Sequence, residues 1–187
     1  VVSFLSEQTK THDKRKPSIL EAPTMFQVAR TVSQTLADVI KTSSNGQQQA
    51  ESTFSSTFIL GGQIKGDAVG LYLIYPEGNF IEVSEENPFF QIGETKYGRP
   101  ILVRAFESNM TFEDAIKLLM VSFDSTIKAN LSVGPPLDLH IYEIDSYAPP
   151  KSQVIEAKNP YFQMVSREWA QALKESLYSL PKYSFDE

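Results

Sequence analysis

The chain has no cysteine among its 187 residues, which removes disulfides, thiolate metal sites and cysteine nucleophiles together. Histidine is nearly as scarce. His12 and His140 are the only two, too far apart in sequence to suggest a zinc site. No apolar run approaches the roughly 20 residues of a membrane-spanning helix. Val1 to Glu7 lack the basic start and small-residue cleavage site of a secretory leader. The sequence therefore reads as soluble, unexported and free of membrane contact, and a reducing cytoplasm suits the missing cysteines. Positive charge is in deficit too, with 17 Lys and Arg against 23 Asp and Glu, a net charge of −6 and a pI near 5.0. Such a chain repels a phosphate backbone, and Lys14-Arg15-Lys16 is too short a basic run to reverse that, so nucleic acid is set aside as a partner. The polar stretch from Glu7 to Lys16 reads as a solvated loop closed by Pro17.

What is present fits one core. At 41% hydrophobic and 21% charged residues, a chain of this length buries roughly 70% of its unfolded surface. Neither a repeat nor a composition break divides it, so residues 1–187 are expected to form a single domain. Val1, Val2, Phe4 and Leu5 make an apolar opening with no initiator Met and no capping residue before it, as if an upstream segment belonged there. From Thr24 the pattern is clear. Thr24 and Gln27 make a T-x-x-Q capping box, and Met25, Val28, Ala29, Val32, Leu36, Val39 and Ile40 recur at helical spacing as far as Asn45-Gly46.

After the polar loop Ser44 to Gln49 comes a β-rich run, Phe54 to Ile64, containing Gly61-Gly62. The turn at Lys65-Gly66-Asp67 leads to a strand at Val69 to Tyr75, with both faces apolar enough to be covered. Pro76-Glu77-Gly78-Asn79 then turns the chain into a third strand, Phe80 to Val83, completing a meander. Phe89 to Gly93 reads as a short strand running into a strand-to-helix elbow, Glu94 to Gly98. Thr111 and Asp114 cap a long helix striped by Phe112, Ile116, Leu119, Met120, Phe123 and Ile127, which Pro135-Pro136 forbids to continue. Leu137, Leu139 and Ile141 alternate with polar residues in a half-exposed strand, Gln153 to Glu156 reads as another, and Phe162, Val165, Trp169, Leu173 and Leu177 stripe a last helix. Helices on both sides of antiparallel strands satisfy an α+β fold, either a four-layer αββα sandwich or an ordinary two-layer arrangement.

Several chemical patterns have plainer explanations. Asp138 and His140 share a strand face and, with Ser132, could be drawn as a serine triad, but strand neighbours point in parallel rather than converging. Glu85-Glu86 falls in a turn, and Glu113-Asp114 in a first helical turn, where acids favour the helix dipole. Gly61-Gly62 and the pair Gly93 and Gly98 lack the Gly-Lys-Ser/Thr of a phosphate loop and read as tight turns. Trp169 on its helical stripe reads as core or subunit contact rather than a ligand platform.

Four long strings carry a family resemblance: Phe58-Ile-Leu-Gly-Gly-Gln-Ile-Lys-Gly66, Ile74-Tyr-Pro-Glu-Gly-Asn-Phe-Ile-Glu82, Pro88-Phe-Phe-Gln-Ile-Gly-Glu-Thr-Lys-Tyr-Gly-Arg-Pro-Ile-Leu102 and Asn130-Leu-Ser-Val-Gly-Pro-Pro-Leu-Asp-Leu139. In order and spacing they resemble the bacterial proteasome-like family called Anbu, itself similar to proteasome β subunits and the HslV peptidase. The resemblance runs from about Thr24 to the end. It implies an N-terminal-nucleophile hydrolase, hence the αββα sandwich, N-terminally incomplete here, and hydrolysis of peptide or unfolded protein substrate without metal or cofactor. In that family the nucleophile is an amino-terminal threonine hydroxyl, helped by a nearby lysine and aspartate. Its free α-amino group can act as base because its reference pKa of about 7.7 to 8.0 lies near working pH.

Val1 has no hydroxyl, and nothing before Thr24 matches the family's opening strands. No catalytic residue is therefore assigned in this numbering, and the threonine, lysine and aspartate are expected upstream. The resemblance carries supporting positions only: Gly93, Glu94 and Thr95 on a loop that approaches the nucleophile, and Ser132 as a serine that helps orient its amine. Where β subunits have an aspartate three residues before that serine, this chain has Ala129, and Asn130 is the hydrogen-bond partner expected to stand in. The family further implies homo-oligomers, rings or open spirals, with Phe162, Trp169 and Tyr178 as an apolar contact face. The alternative is the same sandwich serving as a non-catalytic assembly module.

Overall fold

The computed structural model describes residues 1–11, 18–44 and 55–185. The basic run Lys14 to Lys16, His12, Pro17, the loop read from Asn45 to Gln49, and Phe54 lie outside the described residues. The chain forms two compact units, one of residues 1–92 with 142–149, the other of residues 93–141 with 150–187.

In the first unit two helices, α1 (Val2–Thr11) and α2 (Met25–Ser44), accompany three strands, β1 (Phe58–Gly62), β2 (Gly70–Ile74) and β3 (Phe80–Glu82). The start of α2 is held twice. Thr24 Oγ1 accepts from Gln27 N at 3.3 Å, as the capping pattern predicts, and Asp67 Oδ2 reaches back from the β1–β2 turn to accept from Met25 N at 2.9 Å. The α2 stripe is the expected one: Met25, Val28, Ala29, Val32 and Leu36 are buried, and Ile40 packs against them.

The strands form the antiparallel meander β1-β2-β3. Phe58 opposes Ile74, and Ile74 opposes Phe80, so these residues with Leu60 and Tyr72 present one apolar surface to α2. Tyr72 and Ile74 are buried, while Leu71 and Leu73 on the reverse face are half-buried. Leu5 of α1 joins the same core. The polar stretch after it is no loop over its first part, because Glu7 to Thr11 complete the helix that Leu5 anchors. Gln63 ties the segment 142–149 to this unit at three points. Gln63 Oε1 accepts from Asp145 N at 2.8 Å and from Tyr142 Oη at 3.2 Å, and Gln63 Nε2 donates to Asp145 Oδ1 at 2.9 Å.

The second unit holds α3 (Arg99–Ala105), α4 (Phe112–Ala129), α5 (Pro160–Ser179) and an antiparallel pair, β4 (Leu137–Ile141) and β5 (Lys151–Ile155). Thr111 caps α4 as its spacing predicts, accepting from Asp114 N at 3.2 Å, and Asn159 caps α5, accepting from Phe162 N at 3.0 Å. Met120, Val121, Ile155, Phe162 and Val165 form the core, with Leu137, Leu139, Ile127 and Trp169 packed on it. Each unit is thus a helical layer on one antiparallel sheet.

Three expectations change. No strand forms at Phe89 to Gly93: among the described residues the segment belongs to neither antiparallel sheet. The buried stripe of α4 matches the expected one in part: Met120 is buried and Ile116 and Ile127 pack on the core, but Leu118, Val121, Ser122 and Thr126 are buried as well, while Phe112, Leu119 and Phe123 are exposed. With α3 and α5 both packed on it and the β-ribbon sharing its core, α4 has more than one covered face, so apolar periodicity alone could not choose its inner face. On α5, Phe162 and Trp169 turn into the core and cannot form the apolar contact face with Tyr178, whereas Leu173, Leu177 and Tyr178 are exposed.

Leu36, fully buried, should be expensive to truncate. Leu36→Ala is expected to destabilise by about 2–5 kcal/mol in urea titration, through lost transfer energy and the cavity left behind. Leu177→Ala, on the exposed end of α5, is expected to stay within about 0.5 kcal/mol of the parent.

Candidate functional site

Three residues of α4 and its end, Ser122, Thr126 and Asn130, recur every four positions and so lie along one stripe of the helix. The elbow Gly93 to Gly98 runs against this stripe. Gly98 makes the approach possible. A Cβ placed there would collide with Ser122 Oγ and lie 2.9 Å from Thr126 Oγ1 and 3.0 Å from the Ser122 carbonyl oxygen. Its backbone angles are ordinary (φ −89°), so glycine is required by space rather than by conformation. Thr126 Oγ1 turns inward to donate to the Ser122 carbonyl at 2.9 Å, satisfying a buried hydroxyl within the helix. At the other end of the elbow Gly93 adopts φ +80°, a left-handed conformation that favours glycine.

One turn beyond Thr126 the helix ends at Asn130, whose backbone N–H still donates to the Thr126 carbonyl at 2.8 Å. Its side chain is committed at both ends. Nδ2 donates to Glu94 Oε2 at 3.0 Å, while Oδ1 accepts from Ser132 N at 2.9 Å and Ser132 Oγ at 2.7 Å. The amide orientation follows from its neighbours, since a carboxylate demands the NH2 and a backbone N–H demands the oxygen. Glu94 Oε1 meanwhile accepts from Lys96 N at 2.9 Å. The Lys96 N–H does most to hold the Glu94 carboxyl below the ordinary glutamate range. The Asn130 amide and the Lys96 charge add to this, and partial desolvation opposes it.

Of the four positions carried over by resemblance, the structure brings Glu94 and Ser132 into one hydrogen-bonded chain, joined through Asn130, the residue expected to stand in for the family's aspartate. Gly93 shapes the elbow, and the Thr95 carbonyl accepts from Arg99 N at 3.2 Å at the start of α3. Sequence reasoning misses the Lys96 N–H and the small polar stripe of Ser122 and Thr126, although the four-residue spacing of that stripe is there to be read. The serine triad does not assemble. Ser132 Oγ donates to an amide oxygen, while His140 Nδ1 lies 2.7 Å from Ser152 Oγ across the β4–β5 pair, on an exposed face. Glu113 and Asp114 occupy the first turn of α4, where Asp114 pairs with Lys117 at 2.7 Å. Among the described residues no three His, Asp or Glu side chains are grouped to hold a metal ion, and no helix is long and apolar enough to cross a membrane.

Residues 27–141, which include the elbow, all of α4 and the meander, match the family model described as proteasome subunit. No curated protein sequence matches significantly. Solved structures do. Anbu from Hyphomicrobium sp. strain MC1 is 40% identical, with 98% of this chain and 75% of that one covered at a TM-score of 0.86. Anbu from Yersinia bercovieri, described as an ancestral β-subunit, is 35% identical over 98% and 75% at 0.87. The helical assembly of the Anbu complex from Pseudomonas aeruginosa gives 36% identity over 98% and 75% at 0.90. The chain belongs to the Anbu branch of the proteasome family, and its fold is of the α+β N-terminal-nucleophile hydrolase type.

Because the folded-state pKa of Glu94 is depressed, the stability it contributes is present above the usual carboxylate range and is lost as pH falls through the folded value. Carbon-13 NMR of the side-chain carboxyl is expected to show Glu94 titrating below a model glutamate. Asn130→Ala should move that midpoint upward, since the amide is one of the donors that depress it. An unmoved midpoint would mean the Asn130 contact is absent in solution.

Proposed function

We propose that this chain is the body of a peptidase subunit that hydrolyses peptide bonds by acyl transfer from an amino-terminal threonine, in the cytoplasm and within a homo-oligomer, with residues 1–187 acting as one proteasome-like domain. The observation that carries this reading is the Glu94–Asn130–Ser132 chain, coupled to membership of the family. A carboxylate, an amide and a hydroxyl joined in this way are groups suited to holding a reacting amine. None of the three is assigned as nucleophile. The Ser132 hydroxyl gives its proton to an amide oxygen, which is no general base, so this hydroxyl is not activated for attack. The threonine and its lysine and aspartate partners have no counterpart assigned in this numbering.

Self-association draws support from the last described residues. Leu177, Tyr178, Leu180, Tyr183 and Phe185 are all exposed within nine residues, an apolar concentration of the kind that marks contact surfaces. The solved Pseudomonas aeruginosa relative is described as a helical assembly. The same two facts favour the second reading, a proteasome-fold module used for assembly alone. Both readings share the fold and the oligomer and part at the chemistry.

The protein as produced in its native host is expected to release fluorophore from a peptide substrate above blank and to scatter light as a particle several times the 21.0 kDa chain mass. Ser132→Ala is expected to lower kcat by about tenfold, the loss of one hydrogen bond to a reacting group. Large particles with no hydrolysis would select the assembly module. A strict monomer at high concentration would refute the oligomer in both readings.

A further inference from the structure

The Glu94–Asn130–Ser132 chain has a direction, and the direction specifies what the site can receive. Its charged end is the carboxylate. Glu94 has only acceptor atoms while ionised, so Asn130 must face it with Nδ2, at 3.0 Å. That fixes Oδ1 toward Ser132, where it accepts the backbone N–H at 2.9 Å and the hydroxyl proton at 2.7 Å. With its one proton engaged, Ser132 Oγ has only lone pairs left to offer, and Ser132 is exposed. We infer that Glu94 is a positioning residue which, acting through the Asn130 amide, locks the Ser132 hydroxyl as a hydrogen-bond acceptor for an amine or ammonium group. The inference rests on the proposed amine chemistry for its catalytic meaning, though the polarity itself stands on hydrogen-bond geometry.

The physical consequence is selectivity by sign. A group that meets Ser132 Oγ must bring an N–H or O–H, and a carboxylate or carbonyl oxygen would find lone pair facing lone pair. The carboxylate behind the amide strengthens this preference for a cationic donor, because hydrogen bonds to ionised groups polarise their neighbours along a chain. The carboxylate lies on the elbow rather than on the helix end, where Ala129 offers nothing. The charge therefore acts at one remove, and the amide transmits it.

The geometry allows a test in which the two ends exchange chemistry. In Asn130→Asp a carboxylate faces the Glu94 carboxylate, and the chain loses its donor. In Glu94→Gln a single amide oxygen must serve both Lys96 N–H and Asn130 Nδ2, so one contact fails. In the double variant Glu94→Gln with Asn130→Asp, the introduced glutamine oxygen keeps Lys96 N–H and its NH2 donates to one oxygen of the introduced aspartate, whose other oxygen still accepts from Ser132. Each single variant is expected to lose about tenfold in peptide hydrolysis, and the double to recover to within about threefold of the parent. Proton NMR gives a readout that needs no activity. The Ser132 amide proton should shift upfield in Asn130→Ala, stay hydrogen-bonded in the double variant, and move on titration with methylammonium but not with acetate. A double variant no better than either single, or equal response to acetate, would overturn the inference. A parent protein without hydrolysis would sink the proposed function alone and leave the NMR outcome to decide the polarity.

Discussion

The closeness of the elbow to α4 at Gly98 is the constraint on which the candidate site depends. Backbone and helix meet there with no room for a methyl group, against Ser122 and Thr126. Helix surfaces normally keep their neighbours at side-chain distance, so a contact this close needs glycine on one side and small residues on the other. Once it is made, the elbow has only four residues between Gly98 and Gly93, and Glu94 is brought within 3.0 Å of Asn130 one turn further along α4. The position of the carboxylate is thus inherited from a packing contact between uncharged residues. Small residues here do not mark a binding surface; they set a distance.

A second consequence concerns where the charge sits. Asn130 ends the helix, and a carboxylate at that point would face the negative end of the α4 dipole. With the charge on the elbow instead, Glu94 collects the Lys96 backbone N–H and the Asn130 amide, and the residue that ends the helix is itself neutral. The cluster is therefore electrostatically compatible with the helix it sits on. Its cost is an extra link, since an amide must pass on what a nearer carboxylate would supply directly.

Much of the fold is legible in the sequence because several elements have one covered face. The α2 stripe, its Thr24 cap, the β1-β2-β3 meander and the Thr111 cap of α4 follow from spacing and capping chemistry, and all are present. Pattern and structure part where that condition fails. On α4, covered on several sides, Leu118 and Val121 are inside and Leu119 and Phe123 outside, and hydropathy ranks all four alike. On α5 the stripe is real through Trp169, but Leu173 and Leu177 continue it past the core. The Phe89 to Gly93 segment has strand composition but no strand geometry, and composition reports a residue's preference rather than the backbone it adopts. For the site, resemblance supplies Glu94 and Ser132, and the departure at Ala129 suggests Asn130, but their order in the hydrogen-bonded chain cannot be read from sequence. Donor and acceptor roles are fixed by which atoms face each other, and that is a tertiary property.

The same roles limit what these three residues can do. A hydroxyl acting as nucleophile must surrender its proton to a base, and the Ser132 proton rests on an amide oxygen with a carboxylate drawing the amide the other way. To free that proton the chain would have to reverse, placing Asn130 Nδ2 against the Ser132 backbone N–H and its oxygen against the Glu94 carboxylate. Both contacts would then be repulsive, donor against donor and acceptor against acceptor. The backbone N–H of Ser132 cannot change sign, so it acts as a latch on the whole arrangement. The cluster is consequently suited to holding a donor still and unsuited to attacking a carbonyl, which separates the support of a reaction from the group that performs it.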